Sequence, residues 1–285
     1  MLKPTHQTEP AFLDEFQQLR TDSDAVHLWR LGQGGVLIAH GGTALVVDPY
    51  LSDSLTEKYA ETDKPHIRIT ARLVAPEKLA PIDVLLSTHN HTDHCDAATI
   101  NPIIDENPEI ALLVPRANIV QVGERLALPP EHLTPMSDGD VIRFFGRDKS
   151  EVAVHAVAAA HEERERNEYD DDLYLGYIIE IGGRKIYCAG DTVAFPALVQ
   201  AVTTFAPDVA FLPINGRGAG VAGNMSEQEA AQFAKETGIR CVVPCHYDMF
   251  EFNVGDTQEF AEECQKLGVN YRVLDVGEVM TLAST

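Results

Sequence analysis

The chain has 285 residues and a formal net charge of -22, from 44 acidic against 22 basic side chains. That length can bury a large core as one domain spanning 1–285, and no low-complexity linker or solenoid repeat interrupts its apolar segments. The charge repels polyanions and no Lys/Arg cluster relieves it, which counts against a nucleic-acid partner; the absence of a membrane-length apolar run or a basic leader predicts a cytoplasmic protein.

Apolar residues at Phe12, Leu13, Phe16 and Leu19 have the spacing of one helix face, predicting an amphipathic helix over 10–20 that lies on the body or at a subunit contact. A homo-oligomer is the matching expectation. Three strands should follow, Val26–Leu31, Gly35–Ala39 and Ala44–Asp48, separated by Gly32-Gln33-Gly34-Gly35 and Gly41-Gly42. Asp48 ends the third, as a partner to a metal ligand or as a turn cap. His27 and His40 have no nearby partners in sequence and read as structural.

The apolar run Ile82–Ser87 predicts a short buried strand, and at its end stands Thr88-His89-Asn90-His91-Thr92-Asp93-His94. Open sheets place their chemistry at such strand ends. Side chains two apart on an extended segment share a side, so His89 and His91 can grip one ion. If the chain turns into a helix after His91, as Asp96 to Ile100 suggests, Asp93 and His94 can face a second. Imidazole with carboxylate favours a divalent transition metal, zinc or manganese, as one or two ions.

Strands are expected at 110–114, 141–145 and 151–160, with a helix at 117–126. The alanines before His161 bring the backbone close to a metal site, which makes His161 a further candidate ligand, while His155 reads as core or as a partner behind the site. The charged run 162–172 predicts a solvated loop in which Arg164 and Arg166 serve as ion-paired surface or as contacts to an anion. A hairpin over 175–189 ends in Gly190-Asp191-Thr192. Asp191 suits a bridge between two ions, because a carboxylate offers several lone-pair directions; its alternative is the N-cap of a helix over 195–204. A strand over 208–214 leads to Asn215-Gly216-Arg217, placed to contact a small-molecule substrate. Ser226 and Glu229 form a capping box for a helix to about Thr237, and a strand over 241–245 delivers His246.

This order of HxHxDH, His161, Gly190-Asp191 and His246 resembles the metallo-β-lactamase superfamily. The resemblance implies an α+β fold, an αββα sandwich of two mixed sheets with outer helices. It implies that His89, His91 and His161 hold one ion, that Asp93, His94 and His246 hold another, and that Asp191 bridges them. Within that superfamily, Trp29-Arg30-Leu31-Gly32, the Asn215-Gly216-Arg217 loop with Asn224-Met225-Ser226, and Pro244 to Asp248 are similar to the bacterial L-ascorbate-6-phosphate lactonases. That likeness implies a metal-dependent lactonase in which hydroxide attacks a sugar-acid lactone, Asp93 handles the proton, and Arg217 and Asn215 meet the substrate. The chain is shorter than those lactonases and carries His161, which keeps a metal-dependent phosphodiesterase and a non-catalytic metal-binding module as alternatives.

Overall fold

A computed structural model describes residues 2–216 and 223–284. It contains two mixed sheets, of seven and six strands, packed face to face with helices outside.

The first sheet begins as an antiparallel meander of β1 (Ala25–Gly32), β2 (Gly35–His40) and β3 (Thr43–Val47), and continues in parallel through β4 (Val84–Leu86), β5 (Ala111–Pro115) and β6 (Leu133–Met136). The second repeats the plan. Its meander is β7 (Val141–Phe145), β8 (Glu151–Ala158), β9 (Leu175–Ile181) and β10 (Arg184–Cys188), extended in parallel by β11 (Val209–Pro213) and β12 (Val242–Cys245). A last strand, β13 (Val279–Ala283), returns to the first sheet beside β1.

Every residue of β1, β2 and β3 is buried, because both faces of the sheet are covered. Val26 and Leu28 point between the sheets, where they meet the layer that includes Ile179 and Phe211. Trp29 and Leu37 point outward beneath α1 (Glu9–Leu19), whose Phe12 and Phe16 are fully buried against them. The apolar face of this helix is thus taken by its own sheet. A short α2 (Ser54–Lys58) lies in the β3–β4 connection, and α3 (Ala97–Glu106) and α4 (Ile119–Leu126) complete the outer layer of this half.

On the other side, α5 (Pro196–Phe205), α6 (Glu227–Thr237) and α7 (Thr257–Leu267) cover the second sheet through Leu198, Phe233 and Phe260. The capping box at Ser226 and Glu229 is formed at the start of α6. The N-cap of α5 is Phe195, so Asp191 does not cap it and the alternative weighed for that residue is overturned. No described helix is long and apolar enough to cross a membrane.

The parallel arrangement has one consequence for chemistry. β1, β3, β4, β8, β10, β11 and β12 all end towards the same edge, so Gln33, Asp48, Thr88, His161, Asp191, Asn215 and His246 leave their strands there.

Candidate metal centre

After Leu86 the backbone stops being extended. Cys95 N–H donates to His91 O at 2.8 Å and His94 N–H to the same oxygen at 3.1 Å, so the segment winds into a turn before α3. The expectation that strand alternation aligns His89 and His91 is therefore replaced by a coil that brings the rings together, 4.6 Å apart between His89 and His91 and 4.2 Å between His89 and His94. Ser87 Oγ ties the coil by donating to His89 O at 2.8 Å and His94 O at 3.2 Å. From α4, Arg125 Nη1 donates to Asn90 O at 2.5 Å and Cys95 O at 3.2 Å.

Asp191 stands at the middle. Its Oδ1 lies 3.1 Å from His246 Nε2 and 3.3 Å from His94 Nε2, while Oδ2 lies 3.7 Å from His161 Nε2 and 3.9 Å from His89 Nε2. Each carboxylate oxygen thus faces a different pair of imidazoles. Three overlapping groups have ligand atoms within 4.8 Å of one another: His89, His94 and Asp191; His91, His161 and Asp191; Asp93, His94 and His246. All seven residues are brought together, with His94 and Asp191 each shared between two of the groups.

A bound cation fits this place on chemical grounds. Among the described residues, His89 Nε2, His94 Nε2, His246 Nε2 and Asp191 Oδ1 are buried and have no assigned hydrogen-bond partner, although Asp191 Oδ1 lies close to His246 Nε2 and His94 Nε2. Leaving such atoms unsatisfied costs about 1–3 kcal/mol each, and a divalent transition ion with N/O ligands satisfies them together.

The partners behind the imidazoles set their tautomers. Asp48 accepts from Thr88 N at 2.8 Å through Oδ1, and through Oδ2 from Thr88 Oγ1 at 2.6 Å and His94 Nδ1 at 2.7 Å. Because the Thr88 hydroxyl proton goes to Asp48, its oxygen is left to accept from His89 Nδ1 at 3.0 Å. Both rings then donate from Nδ1 and turn Nε2 inward, bare on His89 and open to a cation on His94 once its second proton is displaced. Of the two roles weighed for Asp48, the partner role is the one formed.

Electrostatics agree with a site that calls for positive charge. For His94, burial is outweighed by the Asp191, Asp93 and Asp48 carboxylates, which hold its pKa well above the ordinary value. His89 is pushed well below by burial and then by the charge on His94. Burial of Asp191 is overcome by His246 and His94, which keep it ionised far below the usual carboxylate range. Asp93 is lowered in the same way, burial being overcome by His94 and His246, with a further contribution from Gln33.

Two residues of the centre escaped the sequence reading. Gln33 Nε2 donates to Asp93 Oδ2 at 2.9 Å and lies 3.2 Å from His246 Nδ1, reaching in from the Gly-rich β1–β2 turn. A Cβ on the next residue, Gly34, would sit 3.0 Å from His94 Cε1, so a polar residue among those glycines was the available signal. Tyr174 stacks on His161 at 5.4 Å and 23°, and its hydroxyl lies 3.5 Å from His91 Nε2. No local pattern marked it.

Other expectations resolve as follows. Asn215 lines the cleft above the cluster, but its amide accepts from Asn224 Nδ2 at 3.0 Å and donates to Asn253 O at 3.4 Å. Arg217 lies outside the described residues. His155 pairs with Glu180 at 3.1 Å and packs on Phe205, so it belongs to neither the core nor the metal surroundings. Arg164 and Arg166 are bound to Asp172 as ion-paired surface. His27 and His40 are structural, held by Asp22 and Ala25 O. The five cysteines are free thiols.

The cluster floors an open cleft of about 350 Å³. Comparisons with known proteins match this architecture. A curated UPF0173 metal-dependent hydrolase of Rubrobacter xylanophilus is 29% identical over 250 residues, covering 83% of this chain and 87% of the relative. The metallo hydrolase Igni18 of the archaeon Ignicoccus hospitalis has a TM-score of 0.65 at 24% identity, covering 92% of this chain and 100% of its own. An isothiocyanate hydrolase from Delia radicum gut bacteria has a TM-score of 0.68 at 18% identity, over 91% of this chain and 100% of its own. Both solved structures show a shared fold. A family model, the beta-lactamase superfamily domain, matches residues 43–247, which include all seven residues of the cluster, and the chain therefore belongs to the β-lactamase superfamily.

Proposed function

We propose that the chain is a metal-dependent hydrolase that opens a lactone of a small substrate, with a phosphorylated sugar-acid lactone as the type. The observation that carries the hydrolase reading is the set of four buried, unpartnered polar atoms meeting at the floor of an open cleft. The curated relative's description as a metal-dependent hydrolase supports it. His89, His91 and His161 would hold one ion, Asp93, His94 and His246 a second, and Asp191 both, with zinc or manganese suited to these donors. Ions held there supply Lewis acidity, polarising a carbonyl or phosphoryl oxygen and acidifying water.

Asp93 is the proton carrier in this reading. It is ionised, lines the cleft and is steered by Gln33. As water oxygen bonds to the carbonyl carbon, a carboxylate oxygen of Asp93 takes the proton; as the ring C–O bond breaks, that proton passes to the leaving alkoxide. Asn215 and Arg217 are the proposed substrate contacts after β11. The lactone itself is suggested by the sequence likeness, of which Trp29 and Arg30 prove to be scaffold: Trp29 Nε1 donates to Glu15 and Arg30 Nη2 to Tyr247 O.

Turnover by protein loaded separately with Mn²⁺ and Zn²⁺ tests the reading, using L-ascorbate 6-phosphate, plain lactones and bis(p-nitrophenyl) phosphate. Lactone opening that is lost in Asp93→Asn with metal retained is the expected result. Cleavage of the phosphodiester alone would replace the lactonase by a phosphodiesterase, and no turnover at all would leave a metal-binding module.

A further inference from the structure

One wall of the cleft is unrelated to the histidine cluster. Leu55, Lys58 and Tyr59 come from α2 and its end, Lys64 and His66 from the segment after it. Phe250 and Phe252 arrive from beyond His246. The two segments are sewn together: Glu251 N–H donates to Ile67 O and Ile69 N–H to Met249 O, each at 2.9 Å, and Thr56 Oγ1 donates to His66 O at 2.6 Å. His66 fills the centre of an aromatic group, 4.4 Å from Tyr59, 5.2 Å from Phe250 and 5.6 Å from Phe252. Phe250 is 3% exposed, so the partly exposed Tyr59, His66 and Phe252 make up the aromatic wall of this polar cleft.

Charge is distributed against the trend of the molecule. In a chain of net charge -22 the cleft is lined by Lys58, Lys64 and Arg125, and among the described residues its only acidic lining residues are Asp93 and Asp191 of the cluster. Among the described residues none of these three cations pairs with a carboxylate: Lys58 Nζ donates to Thr92 Oγ1 at 3.2 Å, and Arg125 is bound to carbonyl oxygens. Away from the cleft, Arg164, Arg166, Arg184 and Arg240 have acidic partners, whereas Arg20 and Lys185 donate to uncharged oxygens. Exposed ammonium groups left unpaired at the mouth of a concave site focus the field on an incoming anion.

We propose that the cleft takes a substrate bearing a planar ring and an anionic group, the ring lying against Tyr59, His66 and Phe252 and the anion meeting Lys58 and Lys64. The assignment rests on the hydrolase reading of the same cleft, to which it adds the substrate class. Carboxylate and phosphate share the required chemistry. A neutral aliphatic ester uses neither the ring faces nor the ammonium groups and is a poor substrate.

The test is equilibrium binding to the metal-loaded protein of naphthalene-2-sulfonate and of 2-naphthol, a ring with and without an anion; sulfonate is a weak metal ligand, so the pair reports on the wall. Wild type is expected to prefer the sulfonate tenfold or more, with the preference shrinking as salt is raised. Lys58→Ala/Lys64→Ala, at two exposed positions, should bring the preference to within twofold, and Phe252→Ala should weaken both probes alike. A wild type without the preference, or a double variant that keeps it, overturns the proposal. The hydrolase reading fails separately, by absence of turnover with the binding preference intact.

Discussion

At the inner end of the cluster, His89 and His94 are 1% and 0% exposed, and each gives its Nδ1–H to an oxygen of Thr88 or Asp48. At the outer end, His91 and His161 stand in the cleft with Tyr174 beside them, its hydroxyl at a long 3.5 Å from His91. The inner imidazoles are fixed in orientation and tautomer before any ion arrives. The outer two pack against each other and Tyr174 and are reached from the cleft. Under the proposed function, the floor would hold metal and the rim would meet substrate, with Asp191 facing both through its separate oxygens.

The residue that joins the ends carries the largest expected effect. Asp191→Ala should lower metal affinity beyond the roughly 10–100-fold typical of partners behind a ligand, and abolish hydrolysis. Calorimetric metal titration with a parallel turnover assay checks both. An Asp191→Ala protein with one site untouched would show that the inner end works without the bridge.

Asp48→Asn strikes the inner end alone. It keeps the shape but loses charge and one acceptor, so metal affinity should fall about 10–100-fold by the same titration. The φ of 45° at Asp48 is one that asparagine tolerates, so folding should survive. Gly190→Ala strikes the approach to the same end. The glycine has φ 61° and a Cβ there would stand 2.6 Å from Thr88 Oγ1, within the hydrogen-bonded group that orients His89. A loss of about 1–3 kcal/mol in urea denaturation is expected.

The outer end should be forgiving. Tyr174→Phe removes one long contact, and metal affinity should stay within about 0.5 kcal/mol, roughly twofold. Should Tyr174→Phe cost tenfold while Asp48→Asn costs nothing, the contrast between the ends would be inverted.

The same contrast governs what could be read from the sequence. The cluster was legible because four potential ligands, three histidines and an aspartate, fall within 89–94 at the end of an apolar run, and because Asp191 and His246 likewise follow strands. Their partner Asp48 was visible for the same reason. The turn after His91 was anticipated from residues 96–100; the bending that already begins at Thr88 was not, since short polar side chains do not reveal whether a chain extends or coils. The rim was mostly illegible. Lys58, Lys64, His66 and Phe252 sit on irregular segments whose placement depends on contacts distant in sequence, such as Glu251 N–H to Ile67 O. Strand β6 went unseen because it is short, at an edge and contains Pro135, and β13 because its partner β1 lies at the far end of the chain. The helix at 10–20 was found, but its suggested subunit contact was not needed: Phe12 and Phe16 are spent on Trp29 and its neighbours.

The most direct measurement is the metal content of purified protein after dialysis, wild type against Asp191→Ala, by inductively coupled plasma mass spectrometry. Stoichiometric transition metal in wild type, lost in the variant, is the predicted result. A wild type that retains no metal at micromolar free Zn²⁺ or Mn²⁺, or a variant that retains as much, would contradict the assignment of these seven residues as a metal centre.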